Sequence, residues 1–239
     1  MPDGANLRMG PNVDVKTGEW TFAFVDLAGF TALTEAHGDA AAAQQAAEFF
    51  AMARASLGGS SQLVKQIGDA VLLVGDNPED VVSTVRALVT AVEQEDNFPL
   101  VRAGVHAGSA VHSQTELGGD DYLGSGVNLA ARVTAQATCR QVLITQSAAR
   151  GLDSVKWPLR PLGHSHFRNV AAPIEVFELI LLEQEGDVDP VCRMRVSPGR
   201  VIASLRHDEQ DFVFCSLECV ATFAANPDHY TLRSDDRDT

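Results

Sequence analysis

The sequence predicts an α+β fold in which helices pack on a mainly antiparallel sheet, followed by a small unit that contains cysteines. Strand and helix patterns succeed one another in a β-α-β-β-α-β order with additions, which favours one sheet covered by helices. The length of 239 residues accommodates one large domain and one small domain. Three of the four cysteines lie between residues 192 and 219, which sets the second unit apart.

The first strand and the first helix meet at an aspartate. The apolar residues 20–25 predict a strand that ends at Asp26, and the sequence Ala28-Gly29-Phe30-Thr31 turns the chain into a helix. Apolar residues then recur three and four positions apart, which predicts one helical face that ends before Gly58. This predicted face comprises Leu33, Ala36, Ala40, Ala43, Ala47, Phe50 and Leu57.

A hairpin and a second amphipathic helix follow. Residues 62–74 predict two strands joined at Gly68-Asp69, because apolar and β-branched residues flank a turn that contains glycine. A helix is predicted to begin near Pro78, and residues 100–106 predict a further strand. The apolar stripe of the helix comprises Val81, Val85, Leu88 and Val92.

The remaining elements complete the predicted sheet. Residues 108–124 are rich in glycine and polar residues, which favours a projecting arm or loop, and a third helix is predicted over residues 125–137. Residues 141–145 and 174–182 predict late strands, the second one buried because its apolar run is nearly continuous. The predicted organisation is an N-terminal tail (1–18), a large domain (19–182), an acidic linker (183–188), a cysteine-containing domain (189–232) and a C-terminal tail (233–239).

Charge and hydropathy exclude several classes of partner. The net charge of −14 gives no general attraction to nucleic acid or to an anionic membrane, so neither is a predicted partner. The longest apolar runs are shorter than the ~20 residues that span a bilayer, and residues 1–10 lack the apolar core of a signal peptide. A cytoplasmic location is therefore expected. In that reducing compartment, four cysteines indicate metal or redox chemistry rather than a disulfide framework.

Asp26 and Asp69 form the first candidate site. The two residues lie 43 positions apart, but adjacent strands of one sheet can bring both carboxylates to the same edge. Hard cations such as Mg²⁺ take oxygen ligands and complete their coordination with substrate phosphates. The turn after Asp26 would add backbone amides at the N-terminus of a helix. Aspartates in turns are common, however, so the spacing alone leaves an ordinary surface role open.

Four sequence motifs, which follow one another in a fixed order, provide further evidence about this site. They are FVDLAGFT (24–31), KQIGDA (65–70), RAGVHAG (102–108), and Asp121 followed by VNLAAR (127–132). In this order and spacing they resemble the catalytic domain of the class III adenylyl and guanylyl cyclases. The resemblance covers residues 19–182, including FRNV (167–170) and PIEVF (173–177), and implies a ferredoxin-like βαββαβ core with cyclase activity.

The resemblance implies a two-metal mechanism. Asp26, Leu27 and Asp69 would hold two Mg²⁺ or Mn²⁺ ions, which activate the ribose 3′-hydroxyl and neutralise charge at the α-phosphate. Asn128 and Arg132 are four positions apart, so a helix would present them on one face. Asn128 would orient the ribose, and Arg132 would stabilise charge on the α-phosphate in the transition state.

The resemblance also implies the substrate. Lys65 and Asp121 occupy the base-reading positions, and a lysine with an aspartate complements the acceptor N1 and the donor N6 of adenine. Guanine reverses this pattern, so ATP is the predicted substrate and a guanylate cyclase is the alternative. The other predicted substrate-binding residues are Phe30, Thr31 and Arg168, the last of which is followed by Asn169 instead of the usual glycine.

The family's sites form between two chains, which implies a homodimer. One chain would supply the metal carboxylates, and the other would supply the base-reading and transition-state residues. An alternative from another class is a non-catalytic metal-sensing or redox-sensing dimer on the same scaffold. The complete set of Asp26, Asp69, Asn128 and Arg132 argues against this alternative.

Residues 187–230 resemble the YHS domain, a small module associated with heavy-metal proteins. The matching segments are DPVCRM (189–194), FCSLEC (214–219) and NPDHY (226–230). Cys215 and Cys219 are four positions apart, so a helix would point both sulfurs the same way, and Cys192 could add a third thiolate. Thiolates favour Zn²⁺ or Cu⁺.

Two features depart from a simple metal module. Arg193 stands where the usual glycine follows the first cysteine, and no fourth ligand is obvious among Met194, His207 and His229. Metal binding and a purely structural role therefore both stay open. The metal content or the thiol state of this unit is expected to regulate the cyclase dimer.

Overall fold

One eight-stranded sheet forms the centre of the molecule, and its class confirms the predicted α+β fold. The structure is a computed structural model that describes residues 15–114, 119–181 and 187–231. The strand order is β2-β3-β1-β4-β6-β8-β7, with β5 paired to β4, and only β4 and β6 among these neighbours run parallel. The strands are β1 (Val15–Leu27), β2 (Gln62–Ile67), β3 (Ala70–Gly75), β4 (Val101–Gln114), β5 (Asp120–Leu123), β6 (Val142–Thr145), β7 (Leu159–Ser165) and β8 (Ile174–Leu179).

Helices cover both faces of this sheet. The helices of this part are α1 (Phe30–Ala55), α2 (Pro78–Gln94), α3 (Ser125–Gln136) and the short α4 (Gln146–Ala149). In β1, Ala23 and Val25 belong to the core that includes α1 and α2, whereas Phe22 and Phe24 belong to the core that includes α3. This alternation is the period of two expected for a strand between two layers. None of the helices in the described ranges combines the length and apolar character needed to cross a bilayer.

The second helix begins and packs as predicted. The side chain of Asn77 accepts a hydrogen bond from the backbone N–H of Asp80, which caps the helix, and Pro78 occupies the first turn. All four residues of the predicted stripe are buried: Val81, Val85, Leu88 and Val92.

The first helix buries a different face from the predicted one. Gly38 has φ 81° and ψ 163°, which interrupts α1 and divides it into a first segment (30–37) and a second segment (39–55). The interruption changes the rotational phase, so the predicted Ala40, Ala43 and Ala47 are exposed. The buried residues of the second segment are Ala42, Ala46, Phe49 and Ala53.

The sheet also extends further than predicted. β1 begins at Val15, inside the predicted N-terminal tail, and pairs with β4 as far as Ser113. The predicted arm of residues 108–124 is a β-hairpin, since β4 continues to Gln114 and pairs with β5. Its polar residues suit this position because the arm lies at the margin of the sheet. The strand β7 was not predicted, because Pro161 and Gly163 interrupt a mostly exposed edge strand.

The described residues 187–231 form a C-terminal unit that packs on α1. It contains β9 (Asp187–Val188), β10 (Arg195–Val196), β11 (Ala203–His207), β12 (Gln210–Phe214), α5 (Leu217–Ala225) and α6 (Asp228–Thr231). The last two residues of the predicted linker thus form a strand, while residues 183–186 and the tail 233–239 lie outside the described ranges. Leu33 and Ala42 of α1 share one apolar core with Val191, Phe214 and Phe223.

We expect that Gly104→Ala will destabilise the protein by about 1 to 3 kcal/mol, because a Cβ at this position would meet backbone of α3. The added atom would lie 2.3 Å from the backbone nitrogen of Thr134, so α3 would have to move away from β4. Thermal unfolding measures the effect. Gly58→Ala is the matched control, since its added Cβ has no heavy atom within 4 Å. Equal melting temperatures for both variants would contradict this close packing.

Candidate active site and cysteine cluster

Two carboxylates lie together where β1 and β3 meet. Asp26 is paired with Ala70 in the antiparallel register, and the backbone N–H of Leu27 donates to the carbonyl of Asp69 at 3.4 Å. Burial raises the pKa of Asp69, and the negative charge of Asp26 raises it further. The structure therefore brings the two predicted carboxylates into mutual electrostatic contact.

An arginine partly compensates this negative charge. Arg102 is the cross-strand partner of Asp26 on β4, and its Nε donates to Oδ2 of Asp26 at 3.0 Å. One guanidinium faces two carboxylates, which leaves an acidic pair at the sheet edge. Carboxylate oxygens are the ligands that Mg²⁺ and Mn²⁺ prefer, and the backbone oxygen of Leu27 is of the same kind. The residues present thus fit a divalent cation.

The turn after this pair leads directly into α1. Gly29 has φ 75°, a left-handed conformation that glycine adopts without strain, and its carbonyl accepts the first helical hydrogen bond from Leu33. The backbone N–H groups of Phe30 and Thr31 precede that bond, so the helix does not use them. The first turn contains no acidic side chain. These N–H groups and the helix dipole favour an anion at this turn.

The predicted base-reading residues form an ion pair. Nζ of Lys65 on β2 lies 2.5 Å from Oδ1 of Asp121 on β5, and both side chains are partly exposed. Burial opposes ionisation of Asp121, but the hydrogen bond from Lys65, the backbone N–H of Tyr122 and the positive charge of Lys65 together lower the pKa of this carboxyl. The folding of the β4–β5 arm over β2 thus joins residues 56 positions apart.

Asn128 and Arg132 lie on the outer side of α3. The opposite side of the helix is buried through Val127, Ala130 and Val133. Asn128 is exposed, and the Arg132 guanidinium donates to the backbone carbonyl of the exposed Arg168. Among the described residues, no hydrogen bond or ion pair joins this group to the Asp26–Asp69 pair. One chain therefore presents two separate groups of the predicted site residues.

The three cysteines of the C-terminal unit converge. Sγ of Cys192 lies 3.4 Å from Sγ of Cys215, which lies 4.0 Å from Sγ of Cys219. The prediction that one helix carries both later cysteines was wrong in detail, because α5 begins at Leu217 and Ser216 is its N-cap. Cys215 precedes the helix, and Cys219 lies in its first turn.

Sequence reasoning missed the residue that completes this cluster. Nε2 of His37, at the end of the first segment of α1, lies 3.7 Å from the sulfurs of both Cys215 and Cys219. No spacing rule connects His37 with cysteines more than 150 positions away, so only the helix break at Gly38 could have drawn attention to it. Of the earlier candidates, His207 faces Asp208 and Asp228 instead, at 3.5 Å.

The thiols influence each other strongly. The hydrogen bonds that connect Cys192 with Cys215 and Cys219 raise the pKa of Cys192. The hydrogen bonds of Cys219 with Cys192 and with Cys215, of which the first has the larger effect, lower the pKa of Cys219. Crowded thiols of this kind do not all ionise together unless a cation is present. Cys139 lies elsewhere, and burial raises its pKa to about 11.

The sequence matches known cyclases over most of its large domain. The family model described as the adenylate and guanylate cyclase catalytic domain matches residues 14–179. The chain is 34% identical over 165 residues to the pH-sensitive adenylate cyclase MT1302 of Mycobacterium tuberculosis. This alignment covers 66% of the chain and 40% of that relative. The chain is 31% identical over 130 residues to an adenylate cyclase of Streptomyces griseus, covering 54% and 31%. The chain thus matches less than half the length of these curated relatives.

Solved structures share the fold at lower identity. An adenylate cyclase from Trypanosoma brucei, described in its monomeric state, superposes with a TM-score of 0.63 at 23% identity, covering 68% of the chain and 89% of that structure. The adenylyl cyclase CyaB from P. aeruginosa gives a TM-score of 0.62 at 20% identity, covering 72% and 98%. At these identities the likeness concerns the fold.

We expect Asp69→Asn to raise the melting temperature of the metal-free protein at neutral pH, by at most about 2 to 4 °C because solvent screens a half-buried carboxylate. Folding raises the pKa of Asp69, so the contribution of this residue to the free energy of unfolding is most favourable below its ordinary pKa of 3.8. That contribution is lost as the pH rises through the raised pKa, where the folded protein must hold a charged carboxylate. The gain should therefore shrink as the pH falls toward 4.

Thermal unfolding with and without Mn²⁺ provides the measurement. The ion should raise the melting temperature of the wild type more than that of Asp69→Asn, because it binds the folded carboxylate pair. Asp76→Asn removes an equal charge from an exposed position just after β3 and serves as the control. A lower melting temperature for metal-free Asp69→Asn at pH 7 would argue against repulsion at this site.

Proposed function

Because the chain belongs to the family of adenylate and guanylate cyclase catalytic domains, we propose that it converts ATP to 3′,5′-cyclic AMP and pyrophosphate. The observation that carries the choice of substrate is the Lys65–Asp121 pair. The lysine ammonium would donate to N1 of adenine, and the carboxylate would accept from N6. Guanine presents a donor at N1 and an acceptor at O6, which this pair would leave unsatisfied at a cost of about 1 to 3 kcal/mol per group.

The triphosphate would bind at the start of α1. Asp26, Asp69 and the backbone oxygen of Leu27 would hold two Mg²⁺ or Mn²⁺ ions, whose charge, when bound, acidifies the ribose 3′-hydroxyl and neutralises the phosphates. The N–H groups of Phe30 and Thr31 would donate to phosphate oxygens. Arg168 would contact the terminal phosphates from its exposed position. These contacts hold the triphosphate for in-line attack by the 3′-oxygen.

The two residues of α3 would act on the reacting atoms. Asn128 would hold the ribose by hydrogen bonds, and Arg132 would donate to the α-phosphate oxygens as negative charge develops there. The Arg168 carbonyl that Arg132 now contacts would hold the guanidinium near its working position. No carboxylate neutralises Arg132 in the described residues, so its charge is available to an anionic substrate.

We further propose that two chains form each site. The separation of the Asp26–Asp69 pair from Asn128 and Arg132 within one chain supports this arrangement. A symmetric homodimer would place the metal-holding pair of one chain opposite α3 and the base-reading pair of the other, giving two equivalent sites.

The C-terminal unit would regulate this assembly. A Cβ on Gly29 would lie 2.7 Å from Cγ of Arg193, so the unit contacts the turn that is proposed to bind phosphate. Displacement of the unit would therefore free or shift that turn. In this proposal residues 19–182 are the catalytic domain, and residues 189–232 are the regulatory domain.

The direct test is an assay of purified protein with Mg²⁺ or Mn²⁺ and either ATP or GTP, with the cyclic product identified by mass spectrometry. We expect cyclic AMP, with cyclic GMP formed at least about tenfold more slowly. Asp121→Asn should lower the ratio of the cyclic AMP rate to the cyclic GMP rate. The matched control Asp120→Asn changes a residue paired with His112 and should leave this ratio unchanged. Predominant formation of cyclic GMP would refute the choice of substrate, and no product from either nucleotide would refute the activity.

The shared site has its own test. Asp26→Ala and Arg132→Ala should each be inactive alone, and co-refolding equal amounts should restore about a quarter of the wild-type activity. Half of the dimers would then be mixed, and each mixed dimer would contain one intact site. Differently tagged chains report how many mixed dimers form. Mixed dimers that are as inactive as either parent would contradict sharing.

A further inference from the structure

We propose that His37, Cys192, Cys215 and Cys219 bind a zinc ion that fastens the C-terminal unit to the first segment of α1. The four ligand atoms all lie within 4.8 Å of one another. Three ligands come from the C-terminal unit, and the fourth comes from the helix that follows the candidate active site. The site therefore belongs to the whole chain and not to the small unit alone.

The distances match the edges of a zinc tetrahedron. Zn–S bonds of about 2.3 Å and Zn–N bonds of about 2.0 to 2.1 Å place two sulfurs about 3.8 Å apart, and a sulfur and a nitrogen about 3.6 Å apart. Four of the six edges have these lengths: the S···S distances from Cys215 are 3.4 and 4.0 Å, and the S···N distances from His37 to Cys215 and Cys219 are both 3.7 Å. The other two edges, from Cys192 to Cys219 and to His37, are within 4.8 Å. Four protein ligands at these edges leave a central position of the right size for the ion.

The chemistry of the ligands favours zinc. Three thiolates and one imidazole form a Cys₃His set, which is one of the common structural zinc sites. No carboxylate belongs to the group, so Mg²⁺ and Mn²⁺ have no suitable ligands here. Cys192 and Cys219 are fully buried, whereas His37 and Cys215 are partly buried. Four protein ligands would fill the tetrahedral coordination of the ion and leave no open position for a substrate. A closed tetrahedral site is structural, in contrast to the open carboxylate pair at Asp26 and Asp69.

A buried carboxylate holds the cysteine loops in place. Oδ1 of Asp189 accepts backbone N–H bonds from Val191 at 2.9 Å and from Cys192 at 3.3 Å. Its Oδ2 accepts the N–H of Cys215 at 2.9 Å. Asp189 thereby joins the two loops that carry ligands. Hydrogen bonds of this kind around a metal site fix the orientation of the residues that coordinate the ion.

The third cysteine is positioned by a helix cap. The hydroxyl of Ser216 accepts the backbone N–H of Cys219 at 3.1 Å, which starts α5 at this point. Cys219 consequently lies in the first turn, where the helix dipole stabilises a thiolate. The backbone N–H of each of the three cysteines is therefore bound by a side chain, those of Cys192 and Cys215 by Asp189 and that of Cys219 by Ser216.

The position of His37 depends on the break in α1. The left-handed φ of Gly38 ends the first segment directly after His37, and the second segment then continues in another direction. Leu33, one turn before His37, is fully buried in the core shared with the C-terminal unit. Packing and ligation therefore act on the same short segment, which carries the candidate phosphate-binding turn at its other end.

Metal analysis of the full-length protein tests the proposal. Protein purified under reducing conditions from medium containing zinc should carry one zinc per chain by mass spectrometry of the elements. Replacement by Co²⁺ should give a thiolate charge-transfer band and the intense d–d absorption of tetrahedral cobalt. The thiolate band distinguishes this site from any cobalt at the carboxylate pair, and no readout requires nucleotide.

Variants test each ligand. Cys215→Ser and His37→Ala should weaken zinc binding by more than about 100-fold, since each removes a direct ligand. Cys139→Ser and His164→Ala change the remaining cysteine and an exposed histidine, and they should keep one zinc per chain. His37→Cys should restore binding with a cobalt spectrum shifted toward four sulfurs, which a packing role for His37 would not produce.

Several results would overturn the proposal. Protein without zinc, whose cluster cysteines form a disulfide or remain readily alkylated at pH 8, would exclude the site. Unchanged zinc affinity and an unchanged cobalt spectrum in His37→Ala would exclude the fourth ligand. Circular dichroism of each variant identifies loss of folding, and in that event the cobalt spectrum of the refolded wild type decides the ligand set. A copper ion held in preference to zinc would also reject the assignment.

Discussion

The pairing of β1 with β3 and β4 is the constraint on which the candidate active site depends. Asp26 is opposite Ala70 on one neighbour and opposite Arg102 on the other, so both registers must hold for the acidic pair to form. A slip of one residue would turn Asp26 to the other face of the sheet and expose Val25 in its place. Apolar residues on both faces of β1 hold the register and offset the repulsion between the carboxylates.

The first segment of α1 connects this edge of the sheet with the C-terminal unit. Phe30 packs against the core of the large domain and against the core of the C-terminal unit. Arg193 has φ 63°, a left-handed conformation that glycine adopts more readily than arginine, and its side chain covers Gly29 of the candidate active-site turn. The unfavourable backbone conformation of Arg193 is thus accompanied by a side-chain contact with Gly29 that a glycine at position 193 could not make. A unit of this size has a small core, so the surface of α1 contributes to its stability.

Much of this organisation could be predicted from local signals in the sequence. The β-α-β-β-α-β order, the hairpin turn at Gly68 and the start of α2 at Pro78 depend on neighbouring residues, and the structure confirms them. The buried face of α1 could not be predicted, because a glycine inside a periodic pattern does not show how far it rotates the next turn. His37 was missed for a different reason: its partners are distant in sequence, and only the packing of the C-terminal unit brings them together. The strand β7 lacked an apolar pattern because it lies at the edge of the described sheet with most of its side chains exposed.

The placement of His37 also affects how this architecture can be inherited. A module whose ligands all lie within its own sequence can be moved between proteins by recombination at its linker, and it will keep its metal. Here the cut between the two parts would separate the proposed ligand His37 from the three cysteines. A C-terminal unit transferred to another catalytic domain would require a histidine at the end of a broken helix in its new host. The two parts of this chain are therefore expected to diversify together, with changes in α1 matched by changes around the cysteines.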